Sequence, residues 1–135
     1  MFRKIDESIS VSPQITPAQV AEAAKQGFTF IINNRPEHEE PGQPTADEIE
    51  AAATAAGLGY RAIPILPGRF GEAEVVAMAE ALAAAPGPVL AFCRSGTRST
   101  LVWALARARS GDDFLELSRK AEGAGYDLTP IRSFF

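Results

Sequence analysis

Sulfur and imidazole are scarce in this chain. Cys93 is the single cysteine and His38 the single histidine among 135 residues. One cysteine excludes an internal disulfide framework and a multi-cysteine zinc site. One histidine excludes any catalytic design built on two. No apolar run approaches the roughly 20 residues of a membrane span. The chain opens Met1-Phe2-Arg3-Lys4-Ile5-Asp6, so an acid interrupts before a secretory apolar segment forms. A signal peptide is therefore not expected, and a cytoplasmic location is. A basic excess is also missing, because 13 Lys and Arg stand against 17 Asp and Glu, a formal net charge of −4. That balance argues against general nucleic-acid binding. Neither a nucleic acid nor a membrane is expected as a partner, and neither a metal nor a cofactor is implied.

The length suits one compact domain over residues 1–135, since two would each be too small to bury a good core. A hydrophobic fraction of 46% and a charged fraction of 22% are those of a globular chain. Ser8 to Val11 alternates as a short strand. Thr16-Pro17 starts a helix that stops at Gly27, and Phe28 to Asn33 has strand composition. A loop from Asn34 to Pro44 follows. Thr45 with Glu48 forms a capping box for a second helix ending near Gly57. Gly59 to Leu66 reads as a strand whose Pro64 suits a sheet edge. Glu72 to Ala85 is a third helix, and Val89 to Cys93 a continuous apolar strand. A fourth helix is predicted from Ser99 to Gly111 and a last one from Asp113 to about Gly123. Strands alternating with helices predict an α/β domain, a mostly parallel central sheet flanked by helices.

The informative segment is Cys93-Arg94-Ser95-Gly96-Thr97-Arg98-Ser99, between a buried strand and a helix. Ligands of α/β folds sit at the C-terminal ends of strands. Successive backbone amides there form an anion nest, and the helix N-terminus adds partial positive charge. A cysteine opening such a loop is a candidate nucleophile, activated by the amides and the flanking arginines. From Ala81 to Gly111 there are four arginines and no acid, which predicts a local positive field. The competing reading is a buried structural cysteine; the strand, glycine, arginine and helix context favours a site.

This loop resembles the active-site loop shared by rhodaneses and protein tyrosine phosphatases. The chain from about Phe2 to Ile131 resembles the bacterial β-lactamase-hydrolase-like protein, phosphatase-like domain, also named a sulfur transferase family. The resemblance rests on Ser12-Pro13-Gln14, Gly27-Phe28, Asn33-Asn34-Arg35-Pro36-Glu37 and the Cys93 loop, in the family's order. It implies a dual-specificity-phosphatase-like fold, and family members fused to persulfide-dioxygenase-like modules imply a possible persulfide-oxidising partner enzyme.

Four residues separate Cys93 from Arg98, the rhodanese length, where phosphatases have five. Phe92 replaces the histidine common before a phosphatase cysteine. The stretch Leu66 to Gly71 lacks the expected aspartate general acid, and Glu72 is the nearest acid. The expected activity is thus sulfur transfer through a Cys93 persulfide, with a small anionic sulfur donor and a thiol or sulfite acceptor. The alternatives are a cysteine-dependent phosphatase using a phosphocysteine, with Glu72 as the proton donor, or a module that carries sulfur without turnover. Cys93, Arg98 and Ser99 are the expected catalytic residues, Ser99 through a hydrogen bond to the sulfur. Arg94, Ser95, Gly96, Thr97 and Arg35 are expected to bind substrate, Arg35 with the competing role of pairing Glu37 or Glu39. Arg69 is a weaker candidate contact. The six acids of residues 36–60, with His38 among them, read as a solvated face or a dock for a basic partner. Trp103 reads as core.

Overall fold

Apolar residues at every position of Val89–Phe92 demand cover on both faces, and that strand receives it. The computed structural model describes residues 2–135. The chain runs β1 (Arg3–Asp6), β2 (Ile9–Ser12), α1 (Pro17–Lys25), β3 (Phe30–Asn33), α2 (Ala46–Ala55), β4 (Gly59–Ala62), α3 (Glu72–Ala84), β5 (Val89–Phe92), α4 (Thr97–Arg109) and α5 (Phe114–Gly123). A 3-10 helix over Thr129–Phe134 follows. The five-stranded sheet has the order β1-β2-β5-β3-β4, with β1 antiparallel and every other pairing parallel. The sheet is therefore mixed, in a single α/β domain.

Side chains of a strand alternate between faces. Leu90 and Phe92 join Ile31, Ile15, Val20, Ile49 and Ala53 beneath α1 and α2. Val89 and Ala91 join Ile32, Met78, Trp103 and Leu117 beneath α3, α4 and α5. Both capping boxes form: Thr16 with Gln19 opens α1, and Thr45 with Glu48 opens α2.

The structure adds one strand to the sequence reading and moves several boundaries, among them those of β4 and α4. β1 carries no clear alternation and forms by pairing with β2 through a turn in which the Asp6 carboxylate accepts the Ser8 and Ile9 amides. β4 stops at Ala62, short of Leu66, although the Ile63 and Ile65 amides still reach the carbonyls of Asn33 and Asn34. Its edge position agrees with Pro64. Helix α4 begins at Thr97, two residues before Ser99. Ser12, Phe92 and Asn33 stand in register, so β2, β5 and β3 release their chains at one level of one edge.

Candidate active site

The step from β5 to α4 is made by four residues, and Gly96 makes it possible. Gly96 is the N-cap of α4 at φ 91°, a left-handed conformation costly for other residues. A Cβ there would collide with the Tyr126 hydroxyl. The turn brings the Gly96 N–H onto Cys93 Sγ at 3.1 Å. Cys93 is fully buried, at the floor of the loop. The first amides of a helix have no partner within it. With α4 starting at Thr97, the amides of Thr97, Arg98 and Ser99 belong to that orphan set and extend the nest beyond the four loop residues. The Ser95 hydroxyl donates to Thr97 Oγ1 at 3.0 Å and accepts the Thr97 amide at 3.4 Å.

Arg98 lies in the first turn of α4 and is not free. Its two Nη atoms fork onto the Glu39 carboxylate, each at 2.8 Å, and Nη1 also donates to the Ile65 carbonyl at 2.7 Å. Those bonds use three of the five guanidinium donors, which leaves one Nη2 hydrogen and Nε–H for a ligand. The Glu39 hydrogen bond holds the Arg98 guanidinium above its ordinary titration range, with the nearby Cys93 sulfur adding to it. The same bond pulls the Glu39 carboxyl below its usual range, so it stands ionised.

Arg35 leaves β3 on the same edge, and its side chain is 1% exposed. It donates to Glu39 at 2.9 Å, to Glu40 at 3.0 Å and to Gln14 Oε1 at 3.0 Å. The structure places it in the acid pairing weighed against substrate contact, with Glu40 in place of Glu37. The acids 37–40 are thus not simply a solvated face: Glu39 bridges two arginines, Glu40 also meets Arg94 at 3.6 Å, and Glu37 accepts the Ala46 amide at the start of α2. Arg94 is exposed at the rim, as its neighbours suggest. Among the described residues no group of three or more His, Cys, Asp or Glu could hold a metal.

Ser99 does not give its proton to sulfur. Its hydroxyl donates to Asn34 Oδ1 at 2.8 Å, while Asn34 donates to the Ile63 carbonyl at 3.0 Å. That buried chain ties α4 to β3 and to the segment after β4. Glu72 pairs with Arg109 at 2.7 Å, in the last turn of α4. Cys93 precedes the first turn of that 13-residue helix, roughly 18 Å away at 1.5 Å per residue. Glu72 is therefore out of reach of the loop. Arg69 is exposed and lines a recess of about 510 Å³ with Pro64, Leu66, Phe70, Gly71 and Glu74, next to the Ile65 carbonyl that holds Arg98.

Two participants, Asn34 and Tyr126, escaped the sequence reading, and Glu39 entered it only as a partner of Arg35. Glu39 carried a signal, an acid cluster on a loop leaving the same sheet edge as Cys93. Asn34 lay within a segment already singled out. Tyr126, whose hydroxyl donates to the Ser95 carbonyl at 3.0 Å, had no local signal at all.

A buried cysteine under a glycine-turned amide nest, with an arginine in the first helical turn on an α/β sheet, defines the phosphatase-like class. The chain belongs to the family described as "Beta-lactamase hydrolase-like protein, phosphatase-like domain", whose sequence profile matches residues 1–110. A β-lactamase hydrolase-like protein of Agrobacterium fabrum is 39% identical over 108 residues, 80% of this chain and 25% of that protein. This chain thus spans about a quarter of the length of the curated relatives it matches. A Neisseria meningitidis z2491 protein, solved under the description "putative phosphatase", superposes with a TM-score of 0.85 at 35% identity over 98% of this chain and 94% of that one. P. aeruginosa TpbA, solved in complex with phosphotyrosine, shares the fold: TM-score 0.66, 20% identity, 93% of this chain and 75% of that one.

These findings overturn the expected sulfur transfer. The family is phosphatase-like, and the Neisseria relative, alike over nearly its whole length, carries the description "putative phosphatase". The grounds for sulfur were the four-residue spacing of Cys93 and Arg98, Phe92 before the cysteine and the missing aspartate. With α4 starting at Thr97, the amides of its first turn add donors beside those of the loop, so the short spacing does not bar a tetrahedral anion. In the chain itself, no helix is long and apolar enough to cross a membrane among the described residues.

Proposed function

We propose that this domain is a cysteine-dependent phosphatase acting through a phosphocysteine. The observation that carries the reading is the Gly96 N–H on Cys93 Sγ at the mouth of α4. It aims sulfur and amides at one point, the arrangement a phosphoryl group needs. A phosphate oxygen trio sits in the amides of residues 94–99 and takes the two free Arg98 donors. Cys93 thiolate attacks phosphorus, the S–P bond forms, and the ester P–O bond breaks with its electron pair on the leaving oxygen. Water then attacks phosphorus, the S–P bond breaks, and the thiolate is restored with phosphate released.

Neither Glu39, held ionised, nor Glu72, at the far end of α4, can supply a proton in the first step. The leaving oxygen therefore takes its proton from solvent, which favours leaving groups that depart as stable anions. The substrate class is aryl phosphate, a phosphorylated tyrosine side chain included.

The test is hydrolysis of p-nitrophenyl phosphate beside an alkyl phosphate. The parent is expected to turn over the aryl ester at least about 100-fold faster, and Cys93→Ser to lose turnover by about 10³-fold or more. Acid quenching during turnover should leave one phosphoryl group on the peptide that contains Cys93. Retained activity in Cys93→Ser, or no hydrolysis of any aryl phosphate, would sink the reading.

A further inference from the structure

The peptide bond between Ser95 and Gly96 is held at both ends. Its N–H points at Cys93 Sγ, 3.1 Å away, and its carbonyl accepts the Tyr126 hydroxyl at 3.0 Å. A trans peptide places N–H and C=O on opposite sides of one rigid plane. Fixing the oxygen therefore fixes the direction of the hydrogen. The plane needs fixing, because Gly96 permits a flipped peptide at low conformational cost. A flipped peptide would turn a carbonyl oxygen into the nest, where it would repel an anion.

Tyr126 is suited to this task. It follows α5, is 8% exposed, and shares the buried core with Leu128 and Ile131. The Arg3 guanidinium from β1 lies over its ring at 5.3 Å, a placement that favours the ring face. Burial raises the phenol above its ordinary titration range, so it stays a donor at neutral pH. Donation to the Ser95 oxygen also polarises the peptide and strengthens the Gly96 N–H as a donor. Tyr126 lies beyond residues 1–110, the span of the family profile.

We infer that Tyr126 is a positioning residue that locks the Ser95–Gly96 peptide with its N–H facing the anion nest. The inference rests on the phosphatase reading for its catalytic meaning, but the lock itself is tested by anion binding alone. Tyr126→Phe removes the hydroxyl and keeps the ring under Arg3. The measurement is a titration of the full-length, nitrogen-15-labelled chain with inorganic phosphate, following the Gly96 amide by NMR, alongside thermal unfolding.

Phosphate is expected to shift the Gly96 resonance in the parent. In Tyr126→Phe that resonance moves or broadens without ligand, and phosphate affinity falls about tenfold, the worth of a hydrogen bond to a charged group. The melting temperature should stay within a few degrees, which separates a lock from a prop. A Phe variant that binds phosphate like the parent, with Gly96 unmoved, overturns the inference. So does a parent whose Gly96 ignores phosphate, or a variant that loses binding only in step with unfolding. A parent that binds phosphate but hydrolyses no ester fails the phosphatase reading and leaves the lock standing.

Discussion

At the scale of the residue, charge that is local in sequence is not charge that is free in space. The four arginines between Ala81 and Gly111 stand in a stretch without acids, yet each finds one from elsewhere: Arg94 with Glu40, Arg98 with Glu39, Arg107 with Asp112 and Arg109 with Glu72. The nest therefore draws its pull on anions chiefly from amides and from the Arg98 donors that Glu39 leaves over. Glu39 spaces the Arg98 and Arg35 guanidiniums with one carboxylate, at 17% side-chain exposure. Glu39→Gln should cost roughly 1–3 kcal/mol of stability near neutral pH, between the values of exposed and buried pairs. The sign with pH follows from the lowered carboxyl. Its stabilisation is full above the unfolded value near 4.5 and is lost as pH falls through the lower folded value. Urea unfolding of both proteins should show a gap that is largest at pH 7 and closes in acid below about pH 4.5. A gap that widens in acid contradicts the ion pair. Cys93, Arg98 and the glycine between them were legible in sequence because chemistry needs them side by side. The partners of Arg98 and Ser99 were not, since Glu39 and Asn34 lie 59 and 65 positions away.

At the scale of the element, local signals and tertiary ones divide cleanly. Helices α1 and α2 were readable because Thr16 and Thr45 satisfy orphan amides through side chains present in the same few residues. The start of α4 was not readable, because no side chain caps it. Its cap is a backbone conformation at Gly96, where the Tyr126 hydroxyl leaves no room for a Cβ. Without a capping side chain the loop reads two residues longer than it is. Gly96→Ala meets both obstacles at once, the left-handed φ of 91° and the crowded hydroxyl. It should destabilise the domain by about 2–5 kcal/mol, the sum of a left-handed penalty and an overpacking one. Chemical denaturation measures this directly, and a loss below about 0.5 kcal/mol would show that the loop tolerates a Cβ.

At the scale of the whole molecule, the fold class was the most legible part. Continuous apolar β5, alternating helices and the edge proline Pro64 are enough for a mostly parallel sheet. The antiparallel β1 was missed because a strand of exposed Arg3 and Lys4 is defined by its neighbour, not its composition. Trp103, read as core, is 1% exposed in the cluster beneath α3, α4 and α5, and is the only tryptophan. Its fluorescence reports one face of the sheet, whereas far-UV circular dichroism reports both. The two signals should change at the same urea concentration, because β5 contributes to both clusters and couples them. Separate midpoints would mean that the two layers unfold independently. The strand order has a further consequence, in time. β5 sits between β2 and β3, yet it is the last strand in the chain. On a ribosome, β2 and β3 emerge with no strand to join them, and their apolar faces wait for Val89–Phe92 to clear the exit tunnel. The nascent domain cannot close its sheet, and so cannot assemble the nest, until most of it has been made.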